Sequence, residues 1–520
     1  MLRSVLTVGG WTMASRVLGF ARDMLVASRL GAGPVADAFF VALKLPNLFR
    51  RLFGEGAFNA AFVPSFAGTL VRDSRAAAQE LAERMGALLG LWLGMLTVLG
   101  LIFMPQVLTV LAPGFRADPA KFALAVDLTR ITMGYLPLIC LTALVSGVLN
   151  GLDRFAAAAA APVFFNLLLM AALVSLGPYV ATPGHALAWG VLASGFVQLA
   201  MVWMAARQAG MALNLFRAPA LTPPVMQVLR RMAPGLLGAG VTQINLAVDV
   251  IIASLLPSGA VSYLYYADRV AQLPLGVVGA ALGTAMLPVL SRQLRAGQSL
   301  SAHRSMNRGT ELALLLTLPS AVGLAAAAGP IVAALFQRGA FSAEAAAASS
   351  AALVAYAFGL PAFVLVKVFA PGFFARGDTA TPVKIGLVAV ALNLALNLLF
   401  MPWLAHVGVA LATACAAWVN AGMLAWMLMR RRHFVVDRRA RRVVPRILAA
   451  SLAMGAVVAG LAWLLPPAQG SAGRMVRAAL LIGAGAAAYL ASGVATRAFS
   501  PREVLGMLRR RGRGRVVPPG

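Results

Sequence analysis

Acidic residues are scarce in this chain. Sixteen Asp and Glu stand against 44 Lys and Arg in 520 residues, for a net charge of +28. Enzymes of phosphoryl and related group transfer usually hold a metal with clustered acids or use a His general base. Here the acids are dispersed and no Asp-rich motif occurs. The four histidines, His185, His303, His406 and His433, are scattered near loops without zinc or haem spacing. Only two cysteines occur, Cys140 and Cys415, both inside apolar runs, so they read as packing residues rather than a disulfide framework. Lysine is confined to Lys44, Lys121, Lys367 and Lys384, which leaves the basic set almost wholly arginine. Strict apolar–polar alternation, the sign of a membrane β-barrel, is missing. A basic soluble domain is also missing, which argues against a nucleic-acid partner.

What is abundant is apolar sequence, at 61% of the chain. A soluble protein of this size has too little interior for that much apolar surface. The runs predict an all-α polytopic membrane protein of about fourteen spans. They fall near residues 5–30, 35–66, 82–110, 122–149, 158–180, 185–207, 228–256, 260–291, 309–336, 345–374, 382–402, 407–429, 443–465 and 474–498. Arg16 interrupts the first run and no clear small-residue cleavage site follows, so a retained helix is expected there rather than a signal peptide. Loops after even-numbered spans are rich in arginine, culminating in Arg430, Arg431, Arg432, Arg438, Arg439, Arg441, Arg442 and Arg446. Loops 177–184 and 257–259, after odd-numbered spans, have no Lys or Arg. The positive-inside rule then puts both termini in the cytoplasm. The tail Arg509, Arg510, Arg511, Arg513 and Arg515 suits that side, as a basic tail near anionic lipid.

An internal repeat is visible. Asp23-Met-Leu-Val-Ala-Ser-Arg-Leu30 parallels Asp249-Val-Ile-Ile-Ala-Ser-Leu-Leu256, and each precedes a span holding Leu-Pro. Six spans separate the copies. An even number predicts parallel repeats, hence two pseudo-symmetric six-helix lobes with two helices appended. The expected organisation is an N-terminal lobe over 1–217, a C-terminal lobe over 218–432, an extra helix pair over 433–498 and a basic tail over 499–520.

Charges inside spans are expensive, at roughly 2.5–3.5 kcal/mol each near the bilayer centre on insertion scales. Span one nevertheless holds Arg16, Arg22 and Asp23. Arg16 and Asp23 share a helical face, whereas Arg22 lies about 120° from Arg16. A bend at Gly19 would let the two guanidinium groups converge. In span two, Asp37, Lys44, Asn47, Arg51, Glu55 and Asn59 keep one face, with Arg50 beside it. Such a stripe reads as the wall of a water-filled cavity, and interhelical ion pairs are the equal alternative for Asp37 and Glu55. Asp268 and Arg269 in span eight and Lys367 in span ten add sparser charge to the second half. An arginine-lined cavity points to an anionic cargo, because the planar guanidinium fork matches phosphate oxygens. Asn393, Asn397 and Thr413 offer neutral oxygens; hydrogen bonding between helices is favoured over cation ligation.

Several motifs resemble the MurJ (MviN) family of bacterial lipid II flippases. They are Ser15-Arg-Val-Leu-Gly-Phe-Ala-Arg-Asp23, Asp37-Ala-Phe-Phe40, Lys44-Leu-Pro-Asn-Leu-Phe-Arg-Arg51, Gly54-Glu-Gly-Ala-Phe58, Tyr265-Tyr-Ala-Asp-Arg269 and Lys367-Val-Phe-Ala-Pro-Gly-Phe373. The resemblance covers essentially the whole chain. It implies a transporter of the MATE-like exporter superfamily, not an enzyme. It implies lipid II as cargo, membrane lipids and the peptidoglycan synthesis and division machinery as partners, and the bacterial inner membrane as location. It also implies that Arg16, Arg22, Arg50 and Arg269 bind substrate. Asp23, Asp37, Lys44 and Glu55 match charged cavity positions, and Arg51, Asp268 and Lys367 are placed with them. Residues 443–465 and 474–498 look like the pair that forms a lipid-tail groove. No cofactor is required; membrane potential and sodium are the candidate drives. A relative's sodium site matches Asp249, Asn393, Asn397 and Thr413. That relative has a carboxylate where this chain has Asn397, and one fewer negative ligand weakens cation binding. Two competing readings are a flippase for another lipid-linked oligosaccharide and a membrane polyprenyl-diphosphate enzyme.

Overall fold

The computed structural model describes residues 2–51, 57–215 and 217–499, and the side chains of all of these except 2–6, 57, 234–239, 241, 242 and 280. Among the described residues there are seventeen α-helices, two short 3-10 turns and no strand. The first nine helices are α1 (Leu2–Leu30), α2 (Pro34–Phe49), α3 (Ala57–Arg72), α4 (Arg75–Ile102), α5 (Met104–Leu111), α6 (Pro119–Met133), α7 (Tyr135–Gly151), α8 (Ala156–Ser175) and α9 (Pro183–Gln208). Then come α10 (Pro223–Ser254), α11 (Ala260–Arg295), α12 (Ser299–Ala326), α13 (Ala328–Phe336), α14 (Ala343–Phe374), α15 (Ala380–Arg430), α16 (Arg438–Leu464) and α17 (Gly470–Ala495).

Ten helical stretches among the described residues are long and apolar enough to cross a membrane. One of them, α15, holds two expected spans, because Ala405 at φ 46°, ψ −128° breaks it three residues after Pro402. The spans expected at 5–30, 35–66 and 228–256 correspond to α1, to α2 with α3, and to α10, and these hold Arg16, Arg22, Asp37, Lys44 and Asp249. The chain is a multi-pass membrane protein.

The span expected at 35–66 is described in two parts, α2 and α3, on either side of residues 52–56. α2 ends at Phe49, Arg50 and Arg51 form a π-type turn, and the described helix resumes at Ala57. Glu55 lies outside the described residues. Pro46 contributes to the local irregularity: it has no N–H to give the Ala42 carbonyl. Thr132 of α6 supplies the missing donor, its hydroxyl 3.0 Å from that oxygen. α1 runs unbroken through Gly19, without the bend considered there. The glycine instead lets α8 come close, with the Asn166 amide 3.5 Å from where a Cβ would sit.

The chain folds into two compact units, residues 1–265 with 338–345, and residues 266–337 with 346–520. In the first unit α8 packs on α1 and α9, α7 on α4 and α9, α2 on α6, and α10 on α3. Small residues allow the close approaches: Gly190 meets the Ala172 methyl of α8, and Gly195 meets Tyr135 and Leu138 of α7. In the second unit the core joins α11, α12, α14 and α15 through Leu290, Met306, Val368, Phe373 and Leu428, all buried. α16 packs on α12 and α17, and α17 also on α13.

Candidate functional site

The charges of α1 lie within the first unit. Arg22 is buried, and its Nε and Nη2 both donate to Asp23 Oδ1, at 3.1 and 2.7 Å. Its Nη1 donates to Asn166 Oδ1 at 2.9 Å, and the guanidinium lies 5.6 Å from the centre of the Phe165 ring. Asp23 also accepts from the Tyr265 hydroxyl at 3.1 Å. Asn166 is fixed in turn by donating to the Ser15 carbonyl at 3.1 Å. Tyr265 stacks on Phe40 with ring centres 3.8 Å apart. This is a buried, hydrogen-bonded ion pair, the form in which membrane charges are tolerated. Arg22 therefore has its charge already balanced by Asp23, whereas Arg16 is exposed on the same helix.

The stripe on α2 divides by depth. Asp37, in the first turn, is 1% exposed. It accepts from Lys121 Nζ at 2.8 Å, the Gly259 amide at 2.7 Å, and the Ser262 amide and hydroxyl at 2.9 and 2.6 Å. Asp37 thus caps the N-terminus of α11 from a helix distant in sequence, with its negative charge at the positive end of the dipole. Lys121 is buried as well. It also donates to the Ser258 hydroxyl at 3.2 Å and lies 4.1 Å from the Phe115 ring centre. Asp118 holds the start of α6 by accepting from the Lys121 amide at 3.1 Å. Further along α2, Lys44 and Arg50 are half-buried and Arg51 is exposed. Arg50 Nε donates to Asn47 Oδ1 at 3.3 Å, one turn back.

The remaining sequence candidates are divided between the two units. Asp249, half-buried on α10, is in the first unit. Asp268, Arg269 and Lys367 are in the second. Asp268 accepts from Gln272 Nε2 within α11. Lys367 Nζ lies 2.8 Å from where a Gly279 side chain would begin. Asn393 and Asn397 are fully buried, and Asn397 Nδ2 donates to Asn393 Oδ1 at 3.2 Å. Thr413 donates to the Val409 carbonyl at 3.0 Å. Within the second unit these three supply neutral oxygens only. No cluster of three or more His, Cys, Asp or Glu able to hold a metal occurs among the described residues.

The sequence assigns no role to three polar partners, Asn166, Lys121 and Tyr265, although Tyr265 opens one of the motifs. Asn166 is a lone amide in an apolar run, and Lys121 follows a capping Asp118-Pro119 pair. Both signals were readable, but not their partners.

A family model described as lipid II flippase MurJ matches residues 26–478. The chain belongs to the MurJ family. A Rhizobium meliloti (strain 1021) protein named probable lipid II flippase MurJ is 45% identical to this MurJ-family chain over 493 residues, 94% of this chain and 92% of its own length. A Burkholderia cenocepacia protein named lipid II flippase MurJ is 38% identical over 436 residues, 83% of this chain and 84% of its own. A solved structure of lipid II flippase MurJ in an inward closed conformation matches at TM-score 0.78 and 24% identity, covering 96% of this chain and 99% of that one. An inward-facing multidrug resistance MATE family transporter of the MOP superfamily matches at TM-score 0.66 and 16% identity, over 82% of this chain and 98% of that one. The two structures show that the MurJ-family chain has the MATE-like fold. Its family is one of transporters, not of enzymes.

Proposed function

We propose that this protein is a lipid II flippase of the bacterial inner membrane. It moves the undecaprenyl-diphosphate-linked peptidoglycan precursor from the cytoplasmic to the periplasmic leaflet by alternating access, with both termini in the cytoplasm. Support for the cargo comes from the relatives that share 45% and 38% of its sequence and are named for that activity. The observation that carries the mechanism is the division of cations in the first unit. Arg22 is locked in a neutral pair with Asp23, while Arg16 and Arg51 are exposed and Lys44 and Arg50 half-buried. In this reading Arg16, Lys44, Arg50 and Arg51 meet the diphosphate, and Arg is suited to grip it with two parallel hydrogen bonds. Arg22 and Asn166 hold the helices that present them. The polyprenyl tail stays in lipid while the head group crosses. Membrane potential is a fitting drive for a charged cargo, at about 2.3 kcal/mol per charge per 100 mV.

Complementation tests the proposal. The wild-type chain should sustain growth of a bacterium depleted of its own lipid II flippase, and Arg16→Ala should not, at equal protein level. Growth supported equally by the two would remove Arg16 from the mechanism. Failure of the wild type alongside rescue of a lipid-linked O-unit defect would reassign the cargo.

A further inference from the structure

The N-terminal turns of α17 hold two arginines, Arg474 and Arg477. No acid is near in sequence to offset them: between Asp437 and Glu503 the chain has neither Asp nor Glu. The two line a cleft of about 460 Å³, shared with Pro330, Ala333 and Gln337 around α13 and with Ala462 at the end of α16. All of these belong to the second unit. Arg477 Nη2 is engaged, donating to the Ala462 and Leu465 carbonyls at 2.6 and 3.1 Å, where α16 ends. The Nε atoms of both arginines are buried without a hydrogen-bond acceptor. A cleft with two cations, no acid and unmet donors is built for an anion.

Depth in the membrane narrows the anion's chemistry. The cleft sits where α16 ends, about 40 Å along that 27-residue helix from its arginine-rich start. Trp463 beside it is 85% exposed. An exposed tryptophan at a span's end marks the headgroup level of a bilayer. Apart from Gln337, small apolar residues form the rest of the wall, which suits a glycerol backbone more than a hydrated free ion. We propose that this cleft binds the phosphate of an anionic phospholipid headgroup, with Arg474 as the principal donor and Arg477 fixing the wall.

Native mass spectrometry of the purified full-length chain in neutral detergent tests this, with phosphatidylglycerol, phosphatidylcholine or inorganic phosphate added. The wild type should retain one phosphatidylglycerol in preference to phosphatidylcholine. Arg474→Gln should weaken that retention about tenfold, the worth of one charge-assisted hydrogen-bonded contact. The comparison with the variant removes lipid held by the arginine cluster at the other end of α16. Equal retention of the two lipids by the wild type, or unchanged retention by R474Q, would overturn the proposal. So would binding of inorganic phosphate without any retained phosphatidylglycerol. Should R474Q not fold, Arg474→Lys decides: it should keep the preference for phosphatidylglycerol, and loss of selectivity with intact folding would show that charge at this position is not the basis.

Discussion

Asp37→Asn should destabilise the first unit strongly. The substitution keeps the volume of the side chain but replaces an anion that accepts four hydrogen bonds, including the one from Lys121 Nζ at 2.8 Å. Lys121, 5% exposed, is then left as a buried charge without its counter-ion. Breaking a buried pair by removing one partner costs about 3–5 kcal/mol. For a unit of this size that corresponds to a fall of roughly 6–20 °C in melting temperature. Cys140, 1% exposed in α7, provides the reporter. In a Cys415→Ser background a thiol-reactive dye becomes fluorescent only when the first unit opens. The double variant Asp37→Asn, Lys121→Met removes the stranded charge and should recover at least half of the loss. A melting temperature within about 2 °C of the parent for D37N, or no recovery in the double variant, would refute the account of this pair as a buried, charge-dependent clamp.

Asp23→Asn should leave Arg22 as an uncompensated buried cation, lowering the same thiol-dye melting temperature by an amount comparable to D37N. Gly31→Ala should melt lower by several degrees, because φ +66° is costly for a side chain and the new methyl meets the Ala340 carbonyl. Asp378, between α14 and α15, has its carboxyl held down to about 2 by the Thr381 hydroxyl and amide, and next by Arg431. Its depressed value means a stability contribution present above the unfolded value of 3.8 and lost as pH falls toward about 2. The melting gap between wild type and Asp378→Asn should therefore be constant near neutrality and close on acidification through that window.

The helices were legible because a bilayer demands long apolar runs, and such runs are local in sequence. The break at residues 402–407 was legible for the same reason: Pro402 ends one run, and the backbone turns at Ala405. The π-type turn at Arg50 and Arg51 was not, because Asp37, Lys44, Asn47 and Arg51 keep ordinary helical spacing into it. Pairings across the fold were also hidden. Lys121 and Asn166 stand 84 and 144 residues from the charges they contact, and nothing in their neighbourhoods names the partner. The sequence alternatives for Asp37 were cavity wall and interhelical pair, and the structure shows it paired with Lys121. Arg22, expected to be a ligand of the cargo, is found in an ion pair with Asp23, since a buried guanidinium needs a counter-charge whether or not cargo is present.

The central claim is that this chain carries lipid II across the membrane, and leaflet accessibility of lipid II measures it most directly. Cells depleted of their own flippase and expressing this protein should expose lipid II to an enzyme that cleaves it only from the periplasmic face, and the Arg16→Ala, Arg50→Ala double variant should return the signal to the depleted level. Lipid II that stays protected in cells making folded wild-type protein would contradict the account.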